Sequence, residues 1–295
     1  MNEFKTYHPI VNFTYFVFVI GFGCFLMHPV CLCISVACGF AYSVMLKGKK
    51  AIRTNLLYML PILILTALIN PLFNHEGPTI LMYLPSGNPL TAESIVYGLC
   101  AATMIASVIC HFSCYNEVMT SDKFIYLFGK VIPALSLIFS MTLRFVPKFV
   151  SQFKVVTNAQ RCMGRDVSSG KRIKSAKNGL NVLSVMTTWS LENAIETADS
   201  MKSRGYGNPG RTTFSIFKFD KRDKKTLVCI LIFGIYTFAG NLMGGMYFRF
   251  FPSIQSAEIS LWSISVFASY LFLCICPIVI EIREVRKWKA LEQKI

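Results

Sequence analysis

The feature that most constrains this chain is a series of long apolar segments without charged side chains. The longest runs from Ile10 to Leu46 and contains no Asp, Glu, Lys or Arg. Because about 20 helical residues span the hydrocarbon core of a bilayer, such segments predict membrane-spanning helices. The sequence therefore predicts an all-α, polytopic membrane protein with a helical transmembrane bundle.

The basic residues are separated from these apolar segments. The chain is 54% hydrophobic, yet its formal net charge is +15. Basicity of this kind can indicate nucleic-acid binding, but the apolar segments require a hydrocarbon solvent, so the bilayer is the expected partner and nucleic acid is not. The positive-inside rule and attraction to anionic cytoplasmic lipid explain the charge instead.

Loops rich in Lys and Arg alternate with loops that lack them. The segment from Lys47 to Arg53 is basic and is expected in the cytoplasm, whereas residues 74–92 contain no Lys or Arg and are expected outside. The first apolar run is interrupted at His28-Pro29, so we interpret it as a helical hairpin. Six crossings with both termini in the cytoplasm follow, two in the hairpin and four at about Asn55–Phe73, Glu93–Cys114, Thr226–Phe248 and Ile259–Ile280.

The segment from Phe124 to Pro147 is apolar but contains Arg144. One more crossing here would put residues 148–225 outside, although they hold sixteen Lys and Arg against six Asp and Glu. We therefore interpret it as a helix that lies in, or dips into, the cytoplasmic leaflet. Three regions result: N-terminal transmembrane helices (1–123), a cytoplasmic or interfacial domain (124–225), and C-terminal transmembrane helices with a basic tail (226–295).

Two amphipathic helices are predicted in the middle region. The first occupies residues 148–166 and is expected to close at Gly164, and the second runs from Ser175 to Arg204 and is stopped by the sequence GYGNPG. Small residues on one side of the second helix favour a crossed pair beneath the membrane. The predicted contact faces consist of Phe149, Phe153, Val156 and Met163 on the first helix, and Leu183, Met186, Ser190, Ala194, Ala198 and Met201 on the second.

Both helices end in a short pattern that closes on Gly. These patterns are Cys162-Met163-Gly164 and Ser203-Arg204-Gly205. Arg204 could cap the last carbonyls of its helix and complement the helix dipole. Alternatively, it could present a planar fork of donors to carboxylates or carbonyls of a docked protein.

With these motifs the sequence resembles the membrane-embedded T component of energy-coupling factor transporters, the vitamin and metal-ion importers of bacteria and archaea. The resemblance covers about residues 25 to 250. Four stretches carry it: HPVCLCISVACGFAY, IPALSLIFSMTLRFVPKF, NAQRCMGRD and, above all, LENAIETADSMKSRGYG.

The resemblance implies a coupling function for the middle region. In this family, two Ala-Arg-Gly-like motifs at the ends of crossed cytoplasmic coupling helices dock into two ABC-type ATPase subunits, which are coupled to a separate substrate-binding S component in the membrane. Ser203, Arg204 and Gly205 match the second motif. At the first motif, Cys162, Met163 and Gly164 fall on the pattern, and Met163 replaces its Arg. Arg161 or Arg165 could supply the charge, or the contact could be apolar.

The sequence contains no pattern of its own for catalysis. It lacks the P-loop pattern GxxxxGK[ST], so ATP hydrolysis is expected in the partner subunits, and no catalytic, cofactor or metal site is predicted. His111 lies in a predicted span, where it could be functional or merely satisfied by a neighbouring carbonyl. The alternative to a coupling subunit is a stand-alone permease or another polytopic membrane protein with its own substrate path.

Overall fold

Prolines begin the first two long helices. Pro9 starts α1 (Pro9–Phe25) and Pro29 starts α2 (Pro29–Lys47), because the fixed φ of proline suits the first helical turn. Each proline follows a histidine, His8 or His28, whose Nδ1 accepts a backbone N–H of that first turn at 3.3 Å and 3.2 Å, respectively. The predicted break at His28-Pro29 is therefore confirmed.

The computed structural model describes residues 3–83, 89–129, 132–166, 172–206, 208, 217–258 and 260–292, without the side chains of 133–136 and 172. The chain divides into two units. Met1–Phe124 and Phe217–Ile295 form the first, here called the bundle unit, and Ile125–Ile216 form the second, here called the insert unit.

The bundle unit consists mainly of long helices. After α1 and α2 come α3 (Lys49–Phe73), α4 (Ala92–Val118), α8 (Lys221–Leu242) and α9 (Leu261–Glu292). Antiparallel hairpins join two helix pairs: β1 (Ile80–Tyr83) with β2 (Pro89–Thr91) between α3 and α4, and β3 (Phe248–Arg249) with β4 (Gln255–Ser256) between α8 and α9.

Five helices in the described part of the chain are long and apolar enough to cross a membrane, namely α2, α3, α4, α8 and α9. The apolar helix α1 is shorter, with 17 residues. The predicted all-α, polytopic membrane fold is confirmed. The largest side chains buried in its core are aromatic, namely Phe4, Tyr15, Phe16, Tyr42 and Tyr270.

An N-terminal strap, Glu3–His8, contacts three helices at one face of the bundle unit. The carboxylate of Glu281, about two thirds of the way along α9, accepts a backbone N–H of the strap at 3.0 Å. Glu117, at the end of α4, lies 3.7 Å from the ammonium of the strap lysine. Asp223, in the first turn of α8, accepts the N–H of His8 at 3.3 Å. The end of α4, the start of α8 and the part of α9 around Glu281 therefore share this strap face.

The opposite face of the bundle unit carries both β-hairpins. Tyr97, near the start of α4, contacts the ring of Phe250 at a centroid distance of 5.2 Å. His28, at the start of α2, lies 5.3 Å from Phe248 of β3. Because α4 ends and α8 begins at the strap face, the chain leaves the bundle unit after α4 and re-enters it before α8 on the same side of that unit.

The insert unit is built from α6 (Pro133–Cys162) and α7 (Arg172–Ser203), and α5 (Ser121–Gly129) leads into it. The predicted boundary at Pro147 is wrong, because α6 continues through this proline. Both Pro147 and Leu143 are exposed, so the Leu143 carbonyl, which loses its usual donor, remains open to solvent. Instead, α5 ends at Gly129 and α6 begins at Pro133.

The two helices of the insert unit pack through fewer residues than predicted. Val156 of α6 and Val182 and Met186 of α7 are buried together, with Phe149 and Trp189 packed against them. Other predicted contact residues are exposed, namely Phe153, Met163, Leu183, Ala194 and Ala198. Residues 167–171, between the two helices, and Gly207, Pro209 and Gly210 of the predicted helix stop lie outside the described residues.

Candidate docking site at the ends of α6 and α7

Helices α6 and α7 end in the same hydrogen-bonded motif. At the end of α6, Gly164 has φ +73° and donates to the carbonyl of Arg161 at 3.0 Å, while Arg165 donates to that of Gln160 at 2.9 Å. This double closure is a Schellman motif, and its left-handed residue is most easily a glycine.

The end of α7 repeats this geometry. Gly205 has φ +72° and donates to Lys202 at 2.9 Å, and Tyr206 donates to Met201 at 3.0 Å. The two ends therefore correspond position by position. Cys162 corresponds to Ser203, Met163 to Arg204, Gly164 to Gly205, and Arg161 to Lys202. Lys202 was not among the predicted site residues, although its place before the Ser203-Arg204-Gly205 pattern is the signal that could have identified it.

The side chains at both ends are available to a partner. Met163 is 60% exposed, and Cys162, Ser203 and Arg204 are also exposed. Among the described residues, Arg204 makes no side-chain hydrogen bond or ion pair, and backbone N–H groups already occupy the carbonyls of Met201 and Lys202. The geometry thus favours the interpretation that Arg204 presents its donors outward.

Arg161 is engaged within its own helix end. Its Nε lies 3.4 Å from a carboxylate oxygen of Asp166, so part of its charge is already paired. Arg165 is exposed beside it. Of the two predicted substitutes for the missing arginine at position 163, Arg165 is therefore the less committed.

The two helix ends are far apart. Asp166, two residues after Gly164, accepts a hydrogen bond from the Asn178 amide of α7 at 2.9 Å, which fixes the end of α6 near the start of α7. Gly205 lies 27 residues further along α7, and at 1.5 Å per helical residue this is about 40 Å. The insert unit thus presents two similar tips at separate points.

Aromatic packing joins α6 and α7 between the two tips. Trp189 of α7 stacks on Phe145 of α6 at a centroid distance of 5.8 Å, and the Lys148 ammonium lies 5.6 Å above the indole ring. Contacts of this kind stabilise the packing of two helices by more than the burial of apolar surface alone provides.

His111 is buried in the bundle unit, away from these motifs. Its Nε2 lies 3.1 Å from the hydroxyl of Ser35 and 3.2 Å from the carbonyl of the same residue. The Nε2 contact agrees with a histidine held by a neighbouring carbonyl, whereas the buried Nδ1 has no hydrogen-bond partner among the described residues. Among the described residues, no group of three His, Cys, Asp or Glu side chains could hold a metal ion.

Several helices that are long and apolar enough to cross the bilayer, two pairs of them joined by β-hairpins at one face, define a multi-pass helical membrane protein. Residues 5–214 match the family model CbiQ, described as "Cobalt transport protein". Because the match covers most of the chain, this protein belongs to that family.

Curated relatives carry the name "Energy-coupling factor transporter transmembrane protein EcfT". The chain is 36% identical to that of Lactobacillus helveticus over 107 residues (36% of this chain, 39% of the relative). It is 34% identical to that of Lactococcus lactis subsp. cremoris over 102 residues (34% and 38%). For Acidaminococcus fermentans, 161 residues are 30% identical (50% and 60%). The matched stretches thus cover less than two thirds of these relatives. The resemblance to the T-component family is confirmed.

Proposed function

We propose that this chain is the transmembrane coupling subunit of an ATP-driven importer of the energy-coupling factor type. It joins two cytoplasmic ABC-type ATPase subunits to a separate substrate-binding S component in the membrane. The observation that carries the proposal is the pair of matching, exposed helix tips about 40 Å apart, estimated from the helical rise. The name shared by the relatives supports it.

In this proposal the chain transmits motion and catalyses nothing. Closure of the ATPases on ATP moves the tips of α6 and α7, and the stacked contact between Trp189 and Phe145 carries that motion from one helix to the other. The S component then tilts or releases its vitamin or metal-ion substrate. Substrate selectivity belongs to that partner.

The orientation follows from charge. In the described loops of the hairpin face, Arg249 is the one basic residue, whereas the strap face carries many more Lys and Arg. The positive-inside rule assigns the strap face to the cytoplasm, together with both chain termini and the insert unit.

The two tips are expected to bind in different ways. Arg204 offers a planar fork of donors to carboxylates or carbonyls in its ATPase groove. Met163 offers a flexible apolar side chain, which suits a groove of different shape. Each ATPase subunit is therefore expected to bind a chemically different helix tip.

The test is co-purification of the ATPase subunits with variants of the detergent-solubilised chain. Arg204→Glu removes the donors and adds repulsion, which costs about 2–5 kcal/mol, so most of the complex is lost at micromolar concentration. Met163→Glu is expected to weaken the complex as well, whereas Met163→Leu keeps an apolar tip and retains the ATPases.

The matched control is Lys154→Glu, the same charge change at an exposed position of α6 away from the tip. It should retain the ATPases. Full recovery of both ATPases with well-expressed Arg204→Glu would contradict the docking role. Substrate uptake by vesicles that contain this chain alone would favour the permease alternative.

A further inference from the structure

Strand β1 exposes four consecutive apolar side chains at the hairpin face. Their exposed fractions are 48% for Ile80, 61% for Leu81, 58% for Met82 and 65% for Tyr83. The pairing of β1 with β2 is irregular at Leu81, but Met82 and Tyr83 pair in regular register with Leu90 and Pro89. Successive residues of a strand point to opposite faces, so both faces are apolar here. No charged residue occurs between Gly77 and Ala92. In water, such an uncharged apolar strand at an open edge is an aggregation hazard.

This exposure is fixed by a polar network at the base of the hairpin. Glu93 accepts a hydrogen bond from the hydroxyl of Thr79, and Thr91 donates to the carbonyl of Glu76 at 2.8 Å. The backbone N–H of Ala92 donates to the Thr79 carbonyl at 3.0 Å. The base therefore holds β1 in a defined position with its side chains outward.

Gly77 allows the chain to turn tightly against this network. Its φ is +131°, and a Cβ at this position would stand 2.5 Å from a carboxylate oxygen of Glu93. Only glycine combines this backbone conformation with so close an approach.

The apolar surface of β1 continues that of α3. Leu72 and Phe73, the last residues of α3, are 51% and 81% exposed, and Leu65 and Leu68 lie exposed further along the same helix. In a membrane-spanning helix such residues face lipid. The hairpin therefore begins where a lipid-facing surface reaches the edge of the bilayer.

We propose that β1 anchors the α3–α4 hairpin in the membrane interface, with its apolar side chains in contact with lipid at the boundary between headgroups and acyl chains. Lipid is favoured over a protein groove because a groove covers one face of a strand, whereas both faces of β1 are apolar. In the described part of the chain one edge of β1 is unpaired, and this edge limits how deeply the strand can enter the bilayer, since open strand edges are not tolerated in the hydrocarbon core. Tyr83 suits this layer, where aromatic residues concentrate.

The test uses the full chain in lipid nanodiscs, one copy per disc, with tryptophan introduced at Met82 or Tyr83, which lie on opposite faces of β1. Fluorescence is compared with that of the parent chain, so the native tryptophans are subtracted. Gln255→Trp is the control, because Gln255 is an exposed residue of β4 in the other hairpin. Circular dichroism and elution volume verify that each variant folds.

Lipids brominated near the headgroup end of the acyl chain should quench both β1 tryptophans about two-fold more than lipids brominated near the chain terminus, as expected for a depth of about 5–10 Å. The Gln255→Trp signal should instead be quenched by aqueous iodide. Strong iodide quenching at both β1 positions would overturn the proposal. Quenching by lipid at only one position would also overturn the proposal, since it indicates that protein covers the other face. Resistance of both positions to both quenchers would overturn it as well.

Discussion

Lys123 is a buried ammonium group at the start of α5. Its side chain is 5% exposed and donates to the backbone carbonyl of Lys5 in the strap. With its amide oxygen turned toward Lys123, Asn12 accepts a second hydrogen bond at 2.7 Å. Burial, assisted by the nearby charge of Lys5, lowers the pKa of Lys123 from 10.5 to about 8. Burial in the first turn of α5 thus brings the pKa of this lysine close to physiological pH.

The shift of this pKa predicts a pH dependence of stability. Between about pH 8 and 10.5 the unfolded chain binds more protons at Lys123 than the folded chain, so the contribution of Lys123 to stability rises with pH in this window. The unfolding temperature of the detergent-solubilised protein, measured from pH 7.5 to 9.5, should include this rise. In Lys123→Met the rise should be smaller than in the parent. Identical pH profiles of the two proteins would contradict the assignment.

At the scale of single elements, the contact between α6 and α7 was predicted only in part. Met186 and Val156 lie in the contact as expected, but Ala194 and Ala198 are exposed. Helical periodicity identifies apolar faces, yet α7 has more than one, and the sequence alone does not indicate which face meets α6. Trp189, which was not on the predicted stripe, provides the largest contact. The glycine closures at the helix ends were predictable because they depend on local chemistry alone.

Removal of the indole ring should loosen this helix pair. Trp189→Ala deletes the stack on Phe145 and the contact with Lys148. Because this tryptophan is partly buried, we expect the free energy that stabilises the helix pair to fall by about 2–3 kcal/mol. Hydrogen exchange of the α7 backbone amides should accelerate, while that of α2 and α4 stays unchanged. Leu191→Ala, a truncation at an exposed position of the same helix, should change the free energy of opening of α7 by less than about 0.5 kcal/mol. Equal exchange in the two variants would indicate that the stack contributes little.

At the scale of the whole molecule, the apolar segments predicted the helical membrane fold. The break at His28-Pro29 and the apolar helices were evident because hydropathy and proline act locally. The strap could not be predicted, since its contacts with Glu117, Asp223 and Glu281 join residues far apart in the sequence. The two β-hairpins were also missed, because their strands are short and the α3–α4 loop was interpreted only by its lack of charge.

The proposed orientation predicts which face reacts with a membrane-impermeant maleimide. The exposed cysteines, Cys24, Cys33, Cys162 and Cys229, are first replaced by serine. In intact cells, Ser256→Cys in β4 should then be labelled, because the hairpin face is expected outside. Ser121→Cys, at the start of α5, should be labelled only after permeabilisation. The reverse pattern would invert the topology.

The strap also has a consequence for how this architecture can diversify. Glu117, at the end of α4, and Asp223, in the first turn of α8, both bind the strap, which is only a few residues long. The chain therefore leaves the bundle unit and re-enters it at one face. A segment inserted in this way can be lengthened, shortened or exchanged without moving any helix of the bundle unit, so evolution or an engineer could replace the pair α6–α7 while the strap and its three helices stay as they are.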